Sequence, residues 1–560
     1  MIELKLRNIV RKVKSKNPQK RYEALDHLYH LKIQEGLVVR IELLKEIIKT
    51  ATFRFPERVD HWDNPSFFLI DFACDFPMKE VASLLLKHFE GFDLLAKERA
   101  IEYLIATEQD EVFNFLEEKI VQLIHTEDFI LPLKELSTYP VLIKGILDQT
   151  LEKLSSNHYK FMIYDLLLSL NIAGYEQDYQ KERVIPFLLK DYQTEKQEYL
   201  KFDRNYSAKF VYTAWKDSYL AVRNRMRILI SLMEYYSSPE IETELKIALD
   251  FNDPLIKSNA LLVCVARDLP YQENTLLDCA QNIESSEMIY WELKEKNIEH
   301  LYPIREGKQP LLAKTRLFST IINLTEEENG ATHFTENIQI LDQVEMDNPF
   351  GQPTRYYLMR FYEHGHDYVG WAGGYSLVDG NDEAGAGGGT FTDFADYDSS
   401  SLEGHKEAFY KKRAEEIHEY ENTVFFESAP KLGRSGWFLL AMMITRLIRA
   451  AFSNFSSALL PAIVLCIAGG SWVIYQLLKN KQRKISIVGK HLVMKDGSRQ
   501  HSIELNSIKK VEYDKKHVLV YNKNNELALK FPLGWVRYEV FYFHMKEHTG
   551  HFKDSPRIQQ

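Results

Sequence analysis

From the start of the chain to about residue 300, apolar residues return every three or four positions, the spacing of amphipathic helices. The first stripe, Leu6, Ile9, Val10 and Val13, lies opposite Lys5, Arg7, Arg11, Lys12 and Lys14. It suits the inner face of a first helical repeat with a solvated basic back, or a helix lying on a membrane surface. Residues 219–234, 240–250 and 254–267 read as three successive helices. After a turn-rich stretch at 302–310 the pattern mixes, and 338–344, 355–362 and 368–375 read as strands, the last two joined by a turn at 363–367. A loop rich in Gly and Asp (378–401) and a charged helix (404–421) follow. Between Ala450 and Leu478 there is no charged residue. Beyond it the period becomes two: 485–488, 491–495, 502–505, 508–513, 517–521 and 526–530 predict short strands, and 535–548 predicts a closing helix.

Two segments repeat. Asn17-Pro18-Gln19-Lys20-Arg21-Tyr22-Glu23-Ala24-Leu25 and Asp253-Pro254-Leu255-Ile256-Lys257-Ser258-Asn259-Ala260-Leu261 share a polar residue, Pro, a base three further on, then Ala and Leu. The polar residue caps a helix, Pro occupies its first turn, and Ala lets a neighbouring helix approach closely. Lys97 to Leu104 repeats the base–Ala–Leu part without the Pro. The pattern resembles the HEAT repeat, including the short form named after phycobilisome lyases. That resemblance covers about the first 300 residues and implies a solenoid with an extended binding surface.

Residues 457–478 are long enough to cross ~30 Å of hydrocarbon. Trp472 and Tyr475 stand near one end, and Lys479, Lys481, Arg483 and Lys484 follow at once, as membrane-interface residues do. Pro461 and the Gly469–Gly470 pair also suit a buried core helix. Lys431, Arg434, Arg446 and Arg449 precede the segment, so both flanks are positive. That suits a hairpin whose first arm is 436–452, although Arg446 and Arg449 would each cost ~2.5–3.5 kcal/mol at a helix centre. The alternative is a first arm lying in the interface. The strands and closing helix after the segment resemble the bacterial PH-like domains of the YcxB type. The expected architecture is therefore multidomain: an all-α HEAT-like solenoid (1–302), a small α+β domain (311–430), a membrane helix or hairpin (436–478) and a small β-rich PH-like domain with one C-terminal helix (482–551).

Charge and cysteine usage narrow the setting. Residues 479–560 hold 17 Lys and Arg against 8 Asp and Glu; the chain's net charge is −10, so with +9 in this tail the remainder carries −19. An acidic body argues against nucleic acid as a partner, and a basic tail fits an anionic membrane surface. Cys74, Cys264, Cys279 and Cys466 show no paired spacing, which fits a reducing compartment. The first 21 residues have no apolar signal core, so both soluble parts are expected at the cell membrane on its cytoplasmic side.

The candidate chemistry is sparse. His364 and His366 flank a turn beside Asp367, with His333 and His405 elsewhere in the unit: a metal site, or solvated turn histidines. Carboxylates in 378–401 are calcium-type ligands, but their spacing lacks the twelve-residue loop, so a mobile acidic loop is the plainer reading. Gly387-Gly388-Gly389-Thr390 lacks the strand–Lys–helix context of a phosphate cradle. His544, His548 and His551 lie where a helix must cover the last sheet, without the glutamate of HExxH. GxSxG, Walker A and GxGxxG are absent. No cofactor is implied. The leading expectation is a membrane-anchored scaffold or adaptor that binds a protein partner through its solenoid. The competing one is a ligand- or metal-binding sensor or enzyme in 311–430, with a pocket made by Trp371-Ala372-Gly373-Gly374-Tyr375 and the acidic loop.

Overall fold

Proline at the first turn behind a polar cap sets several of the helix starts in the first part of the chain. Asn64 accepts from the Phe67 amide ahead of Pro65, Ser238 from Ile241 ahead of Pro239, and Asp253 from Leu255 and Ile256 ahead of Pro254. The computed structural model describes residues 2–32, 39–76, 78–106, 110–126, 128–155, 159–176, 178–323, 334–335, 337–347, 353–363, 365–377, 390–398, 401–427, 483–496, 499–513, 517–532, 535–536, 541 and 544–545. They form two compact units, 1–112 with 416–560, and 113–415.

The first unit begins with α1 (Ile2–Lys12), α2 (Pro18–Lys32), α3 (Ile41–Ala51), α4 (Pro65–Cys74), α5 (Lys79–His88) and α6 (Leu94–Ile105). α1, α3 and α5 pack in one row and α2, α4 and α6 in another, so each helix meets its sequence neighbour and the next but one. Leu6, Ile9, Val10 and Val13 are buried, which makes α1 the inner face of a stacked helix with its basic residues outside.

The second unit continues with α7 (Asp110–Leu123), α8 (Leu133–Leu136), α9 (Pro140–Thr150), α10 (Lys160–Ile172), α11 (Lys181–Asp203) and α12 (Ala208–Tyr212). Then come α13 (Lys216–Leu232), α14 (Pro239–Ala248), α15 (Pro254–Ala266), α16 (Glu273–Gln281), α17 (Ser286–Glu295) and α18 (Lys308–Ile322). α10, α13, α15 and α17 form a row, with α11, α14 and α16 packed against it. α18 lays Leu312, Leu317, Phe318 and Ile321 on a four-stranded antiparallel sheet. Its strands are β1 (Gln339–Asp347), β2 (Pro353–Glu363), β3 (His366–Ser376) and β4 (Thr390–Asp396), in sequence order. One core runs from Leu261 on α15 through α18 to Tyr357, Met359 and Phe361 of β2. The other face of the sheet receives α19 (Leu402–Glu421), whose Phe409 stacks on Trp371 at 4.2 Å.

A bulge shapes this sheet. Arg355 pairs with Tyr375 and Tyr356 with Gly373, so Gly374, at φ +83°, is left over. A Cβ on Gly373 would stand 2.5 Å from the Arg355 carbonyl oxygen. The stretch expected as a continuous Gly- and Asp-rich loop contains β4, because Thr390, Phe391 and Phe394 are strand formers with a free edge of β3 to pair with.

The first unit resumes with β5 (Val424–Glu427), β6 (Lys484–Val488), β7 (His491–Asp496) and β8 (Arg499–Glu504) in one sheet. A second sheet holds β9 (Ile508–Tyr513), β10 (His517–Asn522) and β11 (Leu527–Pro532), in the order β11–β10–β9. The two sheets enclose Ile485, Ile487, Leu492, Val518, Val520 and Phe531, and Phe541 and Met545 close the core. Helices packed beside separate small antiparallel sheets are the multidomain α-plus-β organisation expected from the sequence. Among the described residues no helix is long and apolar enough to cross a membrane. Residues 436–452 and 457–478, on which the membrane expectation rests, lie outside the described residues, as do Arg446, Arg449, Trp472, Tyr475, Lys479 and Lys481.

Candidate functional site

The most distinctive surface of the first unit is the connection from α3 to α4, residues 52–64. Phe53 is 46% exposed, Val59 64% and Trp62 61%. Large apolar groups on a tip usually fold inward; here a buried arginine holds the backbone that presents them. Arg21, in the first turn of α2, is 1% exposed. Its Nε donates to Asp63 Oδ1 at 2.7 Å, and a second bond runs to Asp63 Oδ2. Its remaining donors reach the carbonyls of Ser15 at 2.9 Å and of Lys16 and Glu57 at 3.3 Å. Asp63 is fully buried and also accepts from the Val59 amide. The Tyr22 hydroxyl donates to Asp60 at 2.6 Å, and that bond pushes the phenol up to about 12. Asp60 in turn accepts from the Trp62 and Asp63 amides. The ring of Trp62 therefore stands on a fixed base, and Lys14 lies over the Phe53 ring at 5.4 Å. An exposed Trp on a fixed backbone suits an interface anchor, because less chain freedom is left to lose on binding.

Arg21 is the base of the first repeated motif. Its partner escaped the sequence reading, although Asp63-Asn64-Pro65 is itself a polar–Pro helix start and was the available signal. The second motif carries the same device in a different form. Its capping Asp253 is fully buried and receives Arg223 of α13. Arg223 also donates to Glu284 at 2.9 Å and to the hydroxyls of Tyr212 and Tyr206 at 2.8 and 3.1 Å. Tyr219 donates to Asp253 at 2.6 Å, and Asp203 accepts from the Asn252 and Asp253 amides. Desolvation opposes the charge on Arg223, but the two carboxylates and the phenols raise its pKa well above the ordinary value. This cluster ties α11, α13, α15 and the segment leading into α17 together.

Of the metal candidates, His364 and His333 lie outside the described residues, and His366 is exposed at the start of β3. Asp367 is gripped by Arg360 at 3.0 and 2.7 Å, which lowers its pKa and occupies both oxygens. Among the described residues no group of three or more His, Cys, Asp or Glu is arranged to hold a metal ion. His405 is half-buried on α19. Trp371 and Tyr375 are both buried, the one against Phe409 and the other among Tyr357 and α18. Arg483 pairs with Asp496 at 2.9 Å on the surface, and Lys484 begins β6. A polar hollow of about 370 Å³ lies between Ser502, Ser507, Asn522 and Lys523, with Glu504 offsetting its cation.

No family model matches the chain, and no curated protein matches it. Among solved structures, an engineered protein is similar at 12% identity, with 58% of this chain and 85% of that chain covered and a TM-score of 0.26.

Proposed function

We propose that this chain is a membrane-tethered adaptor whose helical stack docks another protein. The observation that carries the reading is the 52–64 connection, where Trp62, Val59 and Phe53 stand exposed on a backbone fixed by buried Arg21 and Asp63. Recurrent Pro-started helices and a buried Arg–Asp pair at each repeated motif (Arg21 with Asp63, Arg223 with Asp253) support HEAT-like repeats as the scaffold. The uncharged run from Ala450 to Leu478 supplies the tether, and the strands after it are read as a PH-like module whose basic face lies against anionic lipid.

The test is crosslinked recovery of partners from detergent-solubilised membranes, with the wild-type chain beside a Trp62→Ser/Val59→Ser variant. A partner recovered near stoichiometry with the wild type, and about thirtyfold less with the folded variant, sustains the reading, since hot-spot truncations cost ~2 kcal/mol or more. Equal recovery from both removes the loop as the docking element. Recovery from neither removes the adaptor.

A further inference from the structure

The connection from α11 to α13, residues 204–215, carries α12 and a surface that the 52–64 connection does not include. Phe210 projects from it 45% exposed. Its ring meets Trp215 at 5.2 Å, and Trp215 meets Phe202 at 5.4 Å, both of these being half-buried. The three rings make a short aromatic shelf on a fixed backbone. The Trp215 amide donates to the Phe210 carbonyl at 2.7 Å. Beneath the shelf, Arg223 holds the Tyr206 and Tyr212 hydroxyls, and Asp203 accepts from the Asn252 and Asp253 amides at 2.8 and 3.2 Å. Tyr212 also meets Phe318 of α18 edge-on at 5.7 Å.

The charge around the shelf is one-sided. Residues 201–217 hold four bases and two acids. Lys201 is taken by Glu198 at 2.5 Å, and Asp203 is buried and taken by the amides it accepts from. Arg204, Lys209 and Lys216 are left against exposed Asp217, and among the described residues no carboxylate pairs with any of the three. Exposed lysines or a lone exposed Phe would be ordinary by themselves. What recurs is their coincidence over a buried arginine: in the first unit Phe53 and Trp62 stand with Lys14 and Arg54 above Arg21, although Glu57 and Asp60 offset those cations more fully. Insertion into a bilayer asks for a broad apolar face, whereas α12 is five residues long and this connection exposes one large apolar side chain, Phe210. Resting on the reading of the stack as a docking scaffold, we propose that the 204–216 surface binds an acidic segment of a protein partner. Its carboxylates would meet Arg204, Lys209 and Lys216, and an apolar side chain between them would lie on the Phe210–Trp215 shelf. Opposite charges at such a rim speed encounter and select the partner, and the ring contact slows release.

The experiment is fluorescence anisotropy of a fluorescein-labelled peptide of alternating Glu and Leu, titrated with the full-length protein in mild detergent. Lys209→Glu/Lys216→Glu reverses two surface charges, and Phe210→Ser removes the exposed ring; far-ultraviolet circular dichroism checks that both variants stay folded. The expected result is salt-sensitive binding to the wild type, about tenfold weaker with the charge reversal and about fivefold weaker with Phe210→Ser. Binding at wild-type strength by both variants, or none by the wild type, would overturn the proposal. So would displacement of the peptide by phosphatidylserine vesicles, which would assign the surface to anionic lipid. The Trp62→Ser/Val59→Ser variant separates this site from the 52–64 connection. Peptide binding kept by that variant places the site in the second unit, and binding lost with that variant alone overturns the proposal while leaving the 52–64 reading in place. Unchanged partner recovery with Trp62→Ser/Val59→Ser, alongside the expected peptide pattern, removes the 52–64 reading and leaves the acidic-segment site standing.

Discussion

Arg223 and Phe426 occupy comparable depths in two cores built on different principles. Around Arg223, in the second unit, the helices meet through charge: two buried carboxylates, Asp253 and Glu284, and the hydroxyls of Tyr206 and Tyr212 converge on one guanidinium, while the Tyr219 hydroxyl donates to Asp253. Around Phe426, in the C-terminal β domain, the core is apolar, and the ion pairs described there (Arg483 with Asp496, Lys510 with Glu512) sit on the surface. Strands fix their own register by backbone pairing and by alternation of sides, so apolar filling is sufficient. Stacked helices carrying similar apolar faces can slide along one another. A buried polar group that is satisfied in only one register removes that freedom, a role best attested for polar residues in coiled coils.

The difference is sharpest under substitution. Arg223→Met leaves Asp253 and Glu284 buried without their cation and is expected to lose ~3–5 kcal/mol, the cost of breaking a buried pair from one side. Urea unfolding of the full chain measures it. Removing the charges together, as Arg223→Met/Asp253→Asn/Glu284→Gln, should recover much of that loss, because the penalty lies in the unpaired carboxylates. A single-variant loss under about 1 kcal/mol would break the comparison by showing that the network locks nothing.

Phe426→Ala is the matching cut in the β domain. Phe-to-Ala in a core costs ~3–5 kcal/mol, and a residue on a four-residue edge strand belongs near ~3. Phe426→Leu should cost under about 1.5 kcal/mol, since volume and apolarity are nearly kept. Near-ultraviolet circular dichroism of the stacked Phe426–Trp535 pair reports the site directly. If the Leu variant were as damaging as the Ala variant, specific geometry rather than apolar filling would govern this core too.

How much of this was legible follows from how local each signal is. The strands after residue 483 fall within a residue or two of the alternating runs, except β8, which starts three residues early at Arg499. Pro18, Pro254 and their caps marked true helix starts, because Pro at the first turn is a one-position signal. β5 was missed because Val424-Phe425-Phe426-Glu427 is too short to show a period, and its pairing partner lies beyond residue 483. β4 was missed because the glycines before it dominated the reading. Asp63 and Glu284 were missed for a related reason. A buried acid looks like any surface acid until the arginine that meets it, 42 or 61 residues earlier, is placed by the fold.

The smallest effect concerns an acid that no such arginine meets among the described residues. Asp165 is half-buried on α10, and burial alone pushes its carboxyl up to about 6. The unfolded chain titrates this group near ~3.9, so the folded state holds the extra proton between about pH 4 and pH 6. Stability from that proton is fully present below about pH 4 and is lost as pH rises through 6; at neutral pH the folded chain carries a poorly solvated carboxylate. A shift of this size corresponds to ~3 kcal/mol, which partial exposure reduces to ~1 kcal/mol. Asp165→Asn, which cannot ionise, is therefore expected to be more stable than the wild type by ~1 kcal/mol at pH 7 and equal to it at pH 4. Urea midpoints across that range test the sign. An Asn variant less stable at pH 7 would mean that the carboxylate has a cationic partner and that α10, like α13, is held by charge.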